Sequence, residues 1–479
     1  MKFYNTLTQQ KEEFVPLSPG QVRMYACGET VYNYIHIGHA RSMVIFDALR
    51  RYLEYRGYSV TYARNFTDID DKIIARANAE GVPFEEVTRR YIAAELEDME
   101  KLGVRPPTVA PRATEEIEGI IGIINTLLNK GFAYENNGAV FFETRKFSGY
   151  GKLSKKNIDD LEAGARVEVD ADKKNPMDFV LWKPGRPGEP SWASPWGHGR
   201  PGWHIECSAM AKRYLGDTID IHAGGTDLIF PHHENEIAQS ECANEAPLAR
   251  FWLHNGLIYV DGRKMSKSFG NFFTIRDLAK KFPHEVIRFF MINSHYRSAI
   301  NFSEELMTAS ASALERIRVC VNRLRFIAEK ASPPDGPAPR TVSDAARLDV
   351  FKQAFESALD NDFNTADAVA VIFDFVKFAN VNVADNASPV FAKAILGKIL
   401  DLCDVLGILT PSGSPASEES LTPAEDPQRA WVEEQIEKRQ AARAARDFKL
   451  ADAIRAELAE RGILLEDTVG GARWKRSGL

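Results

Sequence analysis

Apolar residues recur along this chain in two rhythms, and the change from one to the other marks out its elements. Val22 to Ala26 is a short run with β-branched and aromatic residues, the pattern of a strand. It breaks at Cys27-Gly28. Beyond His36-Ile37-Gly38-His39 the spacing lengthens, with Val44, Ile45, Ala48, Leu49, Tyr52 and Leu53 at helical intervals and Gly57 as the stop. A second strand-like run, Tyr58 to Tyr62, follows at once. Strand, helix and strand in that order predict a βαβ unit, whose ligands bind beyond the carboxyl ends of its strands.

Further on, a helical segment ends near Gly81, and another runs from about Phe84 to Leu102 before Arg105-Pro106-Pro107 interrupts it. In Asn65 to Lys72 the acids Asp70 and Asp71 suit a helix cap and first turn. From about Thr114 to Trp196 the pattern reads as an insertion. It holds one apolar-striped helix (Glu115 to Lys130), a strand at Val140-Phe141-Phe142, and a charged, Gly/Pro-rich remainder. Long amphipathic patterns cover Ser303 to Lys330 and Ala345 to Leu409. A Ser-, Pro- and Glu-rich linker then spans Thr410 to Pro427. Two more helices, Ala430 to Ala445 and Phe448 to Arg461, precede a strand-turn-strand around Gly470-Gly471.

At 479 residues the chain exceeds what one core supports, so several domains are expected. Hydrophobic content of 44% and charged content of 27% fit an ordinary globular protein. No apolar run reaches membrane-spanning length, and the polar start, Met1 to Phe14, resembles no targeting segment. Five cysteines, odd in number and scattered, point to a reducing cytoplasm rather than a disulfide framework. Cys242, Cys320 and Cys403 sit in apolar helical surroundings and are expected in the core. A net charge of −7 excludes a general nucleic-acid coat, so any RNA contact must be local.

The candidate chemistry lies in four places. His36-Ile37-Gly38-His39 stands at a helix N-terminus, where free N–H groups favour phosphate; Gly38 permits close approach, and His36 and His39 can donate hydrogen bonds. Gly202-Trp203-His204-Ile205-Glu206-Cys207 comes next, with Trp203 and Cys207 on one side of a helix or strand. It is followed by Gly224-Gly225-Thr226-Asp227 and by Pro231-His232-His233-Glu234-Asn235-Glu236. Pro231 suits a first helical turn, which puts His232 and Glu236 on one face. With Cys207 they make a donor set suited to zinc, and Cys27 is the candidate fourth ligand. His233 competes with His232, because spacing alone does not separate them. Finally, Asp261-Gly262 signals a hairpin leading into Arg263-Lys264-Met265-Ser266-Lys267-Ser268, a doubly cationic loop suited to a phosphate whose charge changes during reaction. No Walker motif and no G-x-G-x-x-G offers another phosphate cradle.

His-Ile-Gly-His at the first βα turn with a distant Lys-Met-Ser-Lys-Ser resembles the signature pair of class I aminoacyl-tRNA synthetases. Met24 to Arg41, Asn65 to Lys72, Asp178 to Trp182, Gly199 to Met210 and Gly224 to Glu236 narrow the resemblance to the cysteinyl-tRNA synthetase family. It covers nearly the whole chain.

The resemblance implies activation of L-cysteine with ATP and Mg²⁺, then transfer to the terminal adenosine of tRNA(Cys). His36, His39, Lys264 and Lys267 would act on the phosphates. Gly38, Gly224, Gly225 and Asp227 would complete the ATP site. One Zn²⁺ would be held by Cys27, Cys207, His232 and Glu236, and cysteine would lie against Cys27, Cys207, Trp203 and Thr67. The implied fold is α/β. A Rossmann-type parallel-sheet domain (1–113 and 197–255) carries a connective insertion (114–196). Then come a signature-loop and stem-contact segment (256–302), a helical bundle (303–409), the linker (410–427) and a small α+β anticodon-binding module (428–479). In that module Arg473, Trp474, Lys475 and Arg476 suit unpaired bases, which stack on rings while cations hold phosphates. A monomer without membrane contact is expected. Two rival readings are a cysteine ligase acting on an amino-sugar, which should lack the terminal module, and a catalytically silent RNA-binding paralogue, which should show damaged signatures.

Overall fold

The computed structural model describes all residues except 160–171, 261, 265–271, 330–341, 385–386, 410–428, 462, 469–470 and 477–479. Strands β1 (Lys2–Asn5) and β2 (Gln10–Glu13) form an antiparallel ribbon. β3 (Gln21–Ala26) then leads through helix α1 (Ile37–Tyr55) to β4 (Ser59–Arg64), parallel to it in the register Met24↔Tyr62. This is the predicted βαβ unit. Its second strand starts one residue later and runs two further than the apolar run indicated, because Ala63 and Arg64 continue the ladder with Tyr25 and Ala26.

Helices α2 (Asp71–Glu80), α3 (Phe84–Lys101) and α4 (Ile117–Asn129) come next. Asp70 caps α2 by accepting from the Lys72 N–H at 2.9 Å, and Gly81 ends the helix in the left-handed region. An antiparallel sheet of β5 (Ala133–Asn136), β6 (Ala139–Phe142), β7 (Phe179–Pro184) and β8 (Gly199–Pro201) follows. The chain then supplies α5 (Trp203–Leu215), β9 (Ile219–Gly225), α6 (Glu234–Asn244) and β10 (Ala249–Asn255). The order β10-β9-β3-β4 is parallel throughout. Chain direction diverges between β3 and β9, and such a switch point opens a crevice at the strands' carboxyl ends.

Two buried clusters support this sheet and its neighbours. Ile120 and Ile124 of α4 and Val140, Phe142, Leu181 and Trp182 of the antiparallel layer pack with Ile205, Ala209 and Ala238 of α5 and α6. Tyr25, Cys27, Cys207, Met210, Ile219 and Trp252 share the other cluster. Ionic joints reinforce the packing: buried Asp47 of α1 accepts from Arg288 at 2.6 Å and from Arg51 at 2.9 Å.

Beyond β10 lie β11 (Ile258–Val260), its hairpin partner β12 (Arg263–Lys264) and β13 (Ile300–Phe302), in the order β12-β11-β13. Long helices cover Glu304–Ala328, Val342–Asp360, Thr365–Asn382 and Pro389–Leu406. The chain divides into two compact units, residues 1–319 with 342–376 and 397–412, and residues 320–341 with 377–396 and 413–479. The second holds helices Arg429–Ala444 and Phe448–Glu460 and a hairpin of Ile463–Thr468 with Gly471–Arg476, built on Val432, Ile436, Ile454 and Leu458. All five cysteines are buried and free. No helix among the described residues is long and apolar enough to cross a membrane.

Candidate active site and metal centre

The crevice between β3 and β9 is a cavity of about 350 Å³. Its walls bring together residues far apart in sequence: Cys27, His36, Gly38 and His39, then Trp203, Gly225 and Asp227, and the stretch Asn255 to Ile258. One wall is the start of α1. His36 is its N-cap, and its Nδ1 accepts from the backbone N–H of His39 at 3.1 Å. A neutral imidazole that accepts through one nitrogen donates through the other, so the cap fixes Nε2–H as the donor of His36. The two histidine rings stack with centroids 3.4 Å apart, and His39 Nε2 meets Glu29 Oε2 at 3.0 Å.

Buried Arg41, one turn into α1, ties this helix to the opposite wall. Its guanidinium donates to the carbonyls of Gly256 at 2.6 Å, Leu257 at 3.1 Å, Tyr296 at 3.2 Å and Ser298 at 2.6 Å. Gly256 has no room for a side chain, since a Cβ would stand 2.4 Å from the Ser298 oxygen. The far flank of the second signature is also anchored. Phe272 packs edge-on against His36, and the N–H of Ile37 donates to the Phe273 carbonyl at 3.1 Å. Lys264 lies in β12, while Met265 to Asn271, including Lys267, fall outside the described residues.

Below the cavity the donor atoms of Cys27, Cys207, His232 and Glu236 converge within 4.8 Å of one another. Cys27 Sγ is 3.8 Å from Cys207 Sγ and 3.3 Å from Glu236 Oε1, and His232 Nε2 is 3.0 Å from the same oxygen. Cys27 hangs from the end of β3 because Gly28, the next residue, presses on Asn65: a Cβ on Gly28 would lie 1.7 Å from the Asn65 oxygen. Cys207 comes from α5 and Glu236 from α6. Pro231 lies in an irregular turn rather than a first helical turn, since the regular helix begins at Glu234. The i, i+4 contact of His232 with Glu236 survives the irregularity.

The electrostatics couple these side chains to one another. Burial opposes charge on Glu236, yet His222 and His232 hold its carboxyl well below the usual range. Burial likewise opposes a charged His232, but Glu236 and Cys207 hold its imidazole up at about 10. The hydrogen bond from Cys27 brings the Cys207 thiol down to about 6, while burial pushes the Cys27 thiol up. Two sulfurs, an imidazole and a carboxylate are a donor set that zinc accepts in tetrahedral geometry. Outer contacts orient them: His222 Nε2 lies 2.8 Å from Glu236 Oε2, and His204 Nδ1 lies 2.9 Å from His232 Nδ1.

A second quartet, Cys27, His222, His233 and Glu236, overlaps the first. His233 Nε2 stands 3.3 Å from Cys27 Sγ, and its Nδ1 pairs with His254 Nε2 at 2.9 Å. Of the other residues singled out from sequence, Trp203 packs its ring 4.2 Å from that of His232 and is partly exposed at the cavity. Thr67 is buried and donates to Glu206 Oε2 at 3.2 Å, away from the cavity lining. Gly224 sits behind the wall, where a Cβ would lie 2.9 Å from the His233 ring. Arg473 to Arg476 form a strand of the terminal hairpin. Sequence reading passed over Glu29, Lys72 and Asn255, which line the cavity, and His222 and His254, which pair from β9 and β10 with Glu236 and His233. Glu29 carried a signal, standing two residues after Cys27 at a strand's carboxyl end. The two histidines carried none.

Residues 13–312 match the family model of the class I (C) tRNA synthetase catalytic domain, and residues 354–410 match the DALR domain. The chain is 53% identical to the cysteine–tRNA ligase of Lachnoclostridium phytofermentans, over all of both chains. It is 52% identical to that of Clostridioides difficile, over 99% of this chain and all of the other. Among solved structures, Mycobacterium tuberculosis methionyl-tRNA synthetase in complex with methionyl-adenylate is similar in fold, with TM-score 0.59 and 16% identity over 81% of this chain and 89% of that one. A leucyl-tRNA synthetase ternary complex from Agrobacterium radiobacter is similar too, with TM-score 0.58 and 13% identity over 84% and 87%.

Proposed function

The chain belongs to the class I aminoacyl-tRNA synthetases, in the cysteine–tRNA ligase family, and from that membership we propose how its own residues divide the work. It is a ligase that uses ATP to join cysteine to tRNA(Cys). Neither the amino-sugar ligase nor the silent paralogue gains support from relatives this similar over their full length.

In the first step a carboxylate oxygen of cysteine bonds to the α-phosphorus of ATP. The bond from that phosphorus to the bridging oxygen breaks, leaving cysteinyl-adenylate and pyrophosphate. The carboxylate is already ionised near neutral pH, so alignment and charge stabilisation are what the protein must add. His36 offers Nε2–H to the phosphates because its Nδ1 is held by the helix cap. Gly38 lets them approach the start of α1, and Glu29 holds the ring of His39. Lys264 and Lys267 take up charge on the departing pyrophosphate, with Mg²⁺ on the phosphates, and Asp227 beside Gly225 serves the ribose side. In the second step the 2′-OH of the terminal adenosine attacks the adenylate carbonyl, and AMP leaves with the bonding pair. Residues 303–409 and the module 428–479 present the tRNA, with Arg473, Trp474, Lys475 and Arg476 toward its anticodon.

Zinc, bound by Cys27, Cys207, His232 and Glu236, would supply a preference for thiolate over alcohol, which is the difference between cysteine and serine. Trp203, against His232 at the cavity, closes over the small side chain. The free buried cysteines support a reducing cytoplasm. The observation that carries the metal assignment is the placement of Cys207, which joins only the quartet containing His232. The test is zinc content after dialysis of His232→Ala, His233→Ala and Cys207→Ala, with cysteine and serine activation measured by pyrophosphate exchange. Loss of zinc in the first and third but not the second is expected. Loss in His233→Ala alone would move the metal to the other quartet.

A further inference from the structure

Tyr25 lies in the middle of the sheet, two residues before Cys27, so the two side chains leave β3 on the same face. Its ring is wholly buried in the cluster that contains Cys27 and Cys207, with its centroid 5.3 Å from that of His222. Among the described residues the hydroxyl has no oxygen or nitrogen partner, and the group it faces is the sulfur of Cys207. A buried phenol in that condition calls for an explanation, because buried donors are almost always satisfied. A neutral thiol is a weak acceptor, whereas a metal-ligating thiolate is anionic and a strong one.

We propose that Tyr25 is a positioning residue for the metal centre, donating its phenolic hydrogen to the Cys207 thiolate when the metal is bound. The proposal rests on the assignment of Cys207 as a ligand. The hydroxyl then fixes the direction of the sulfur lone pair that is left after ligation, and it withdraws charge from the sulfur. Less charge donated by Cys207 would leave a bound metal more electron-deficient and so more attractive to a thiolate. Cys27 lies instead beside Glu236 and His233, so the two sulfurs are unequal.

Three things follow for cobalt(II)-substituted protein. Tyr25→Phe keeps the ring and removes only the hydroxyl, so it should fold and bind cobalt. Its thiolate-to-cobalt charge-transfer band should move to lower energy, because a sulfur freed of its hydrogen bond gives up charge more easily. Its metal should be lost to a chelator about 10–100-fold faster, the usual consequence of removing an outer partner of a ligand. A 3,5-difluorotyrosine at the same position is a stronger donor and should move the band the opposite way, which keeps the test open if the phenylalanine variant fails to fold. A band and a release rate identical in wild type and Tyr25→Phe would overturn the proposal. If wild-type protein binds cobalt with no thiolate band at all, the cysteine ligation itself fails and this inference fails with it.

Discussion

Replacing Arg41 with lysine tests whether the first signature helix and the nucleotide wall form one unit. In the native chain the guanidinium serves the carbonyls of Gly256, Leu257, His295, Tyr296 and Ser298, and among the described residues no carboxylate pairs with it. Burial brings its charged form down to about 10, so those carbonyls are what keeps the cation in place. Lysine keeps the charge but has three donors on one nitrogen, which cannot fan out to five carbonyls on two segments. At least one bond to a charged donor is lost outright, worth about 1.5–3 kcal/mol, and its carbonyl stays buried without a partner at about 1–3 kcal/mol more. A destabilisation of about 3–5 kcal/mol is therefore expected. Urea unfolding followed by the fluorescence of Trp182, Trp203 and Trp252 measures it. Because Gly256 to Ile258 line the cavity and continue into Lys264, KM for ATP in pyrophosphate exchange should rise while KM for cysteine changes less. A loss below about 1 kcal/mol, with KM for ATP unchanged, would refute the reasoning.

Asp47→Ala should be among the most damaging changes outside the site, at about 3–5 kcal/mol, since it leaves Arg288 and Arg51 without their buried counter-charge; calorimetry of the variant checks it. Lys267→Ala should lower adenylate formation by about 10²–10³-fold with cysteine binding intact, as for other groups that meet charge in the transition state, and wild-type exchange kinetics would count against it. Deletion from Gln428 onward should spare pyrophosphate exchange and weaken charging of tRNA, because the terminal helices and hairpin have their own small core. Equal collapse of both reactions would make that module part of the catalytic fold.

Periodicity was enough to reveal the βαβ start, the amphipathic helices and the terminal hairpin, because a strand or a helix face is written into consecutive residues. The two signatures were equally legible, since each is a local cluster whose spacing has a mechanical reason. Local spacing could also pair His232 with Glu236. It could not choose between His232 and His233, because both stand one turn from Glu236. The fold brings Cys207 into the quartet that contains His232 and not into the one that contains His233. The same holds for Thr67, a polar residue near the site in sequence that the fold turns toward Glu206. It holds too for His222, His254 and Tyr25, whose strand positions look like ordinary core until parallel pairing sets Tyr25 opposite His222 and brings both beside the candidate metal ligands. Chain neighbours are fixed by the sequence, but a parallel sheet joins strands separated by nearly two hundred residues (Tyr25 and His222 among them), and the register of that pairing exists only in the folded molecule.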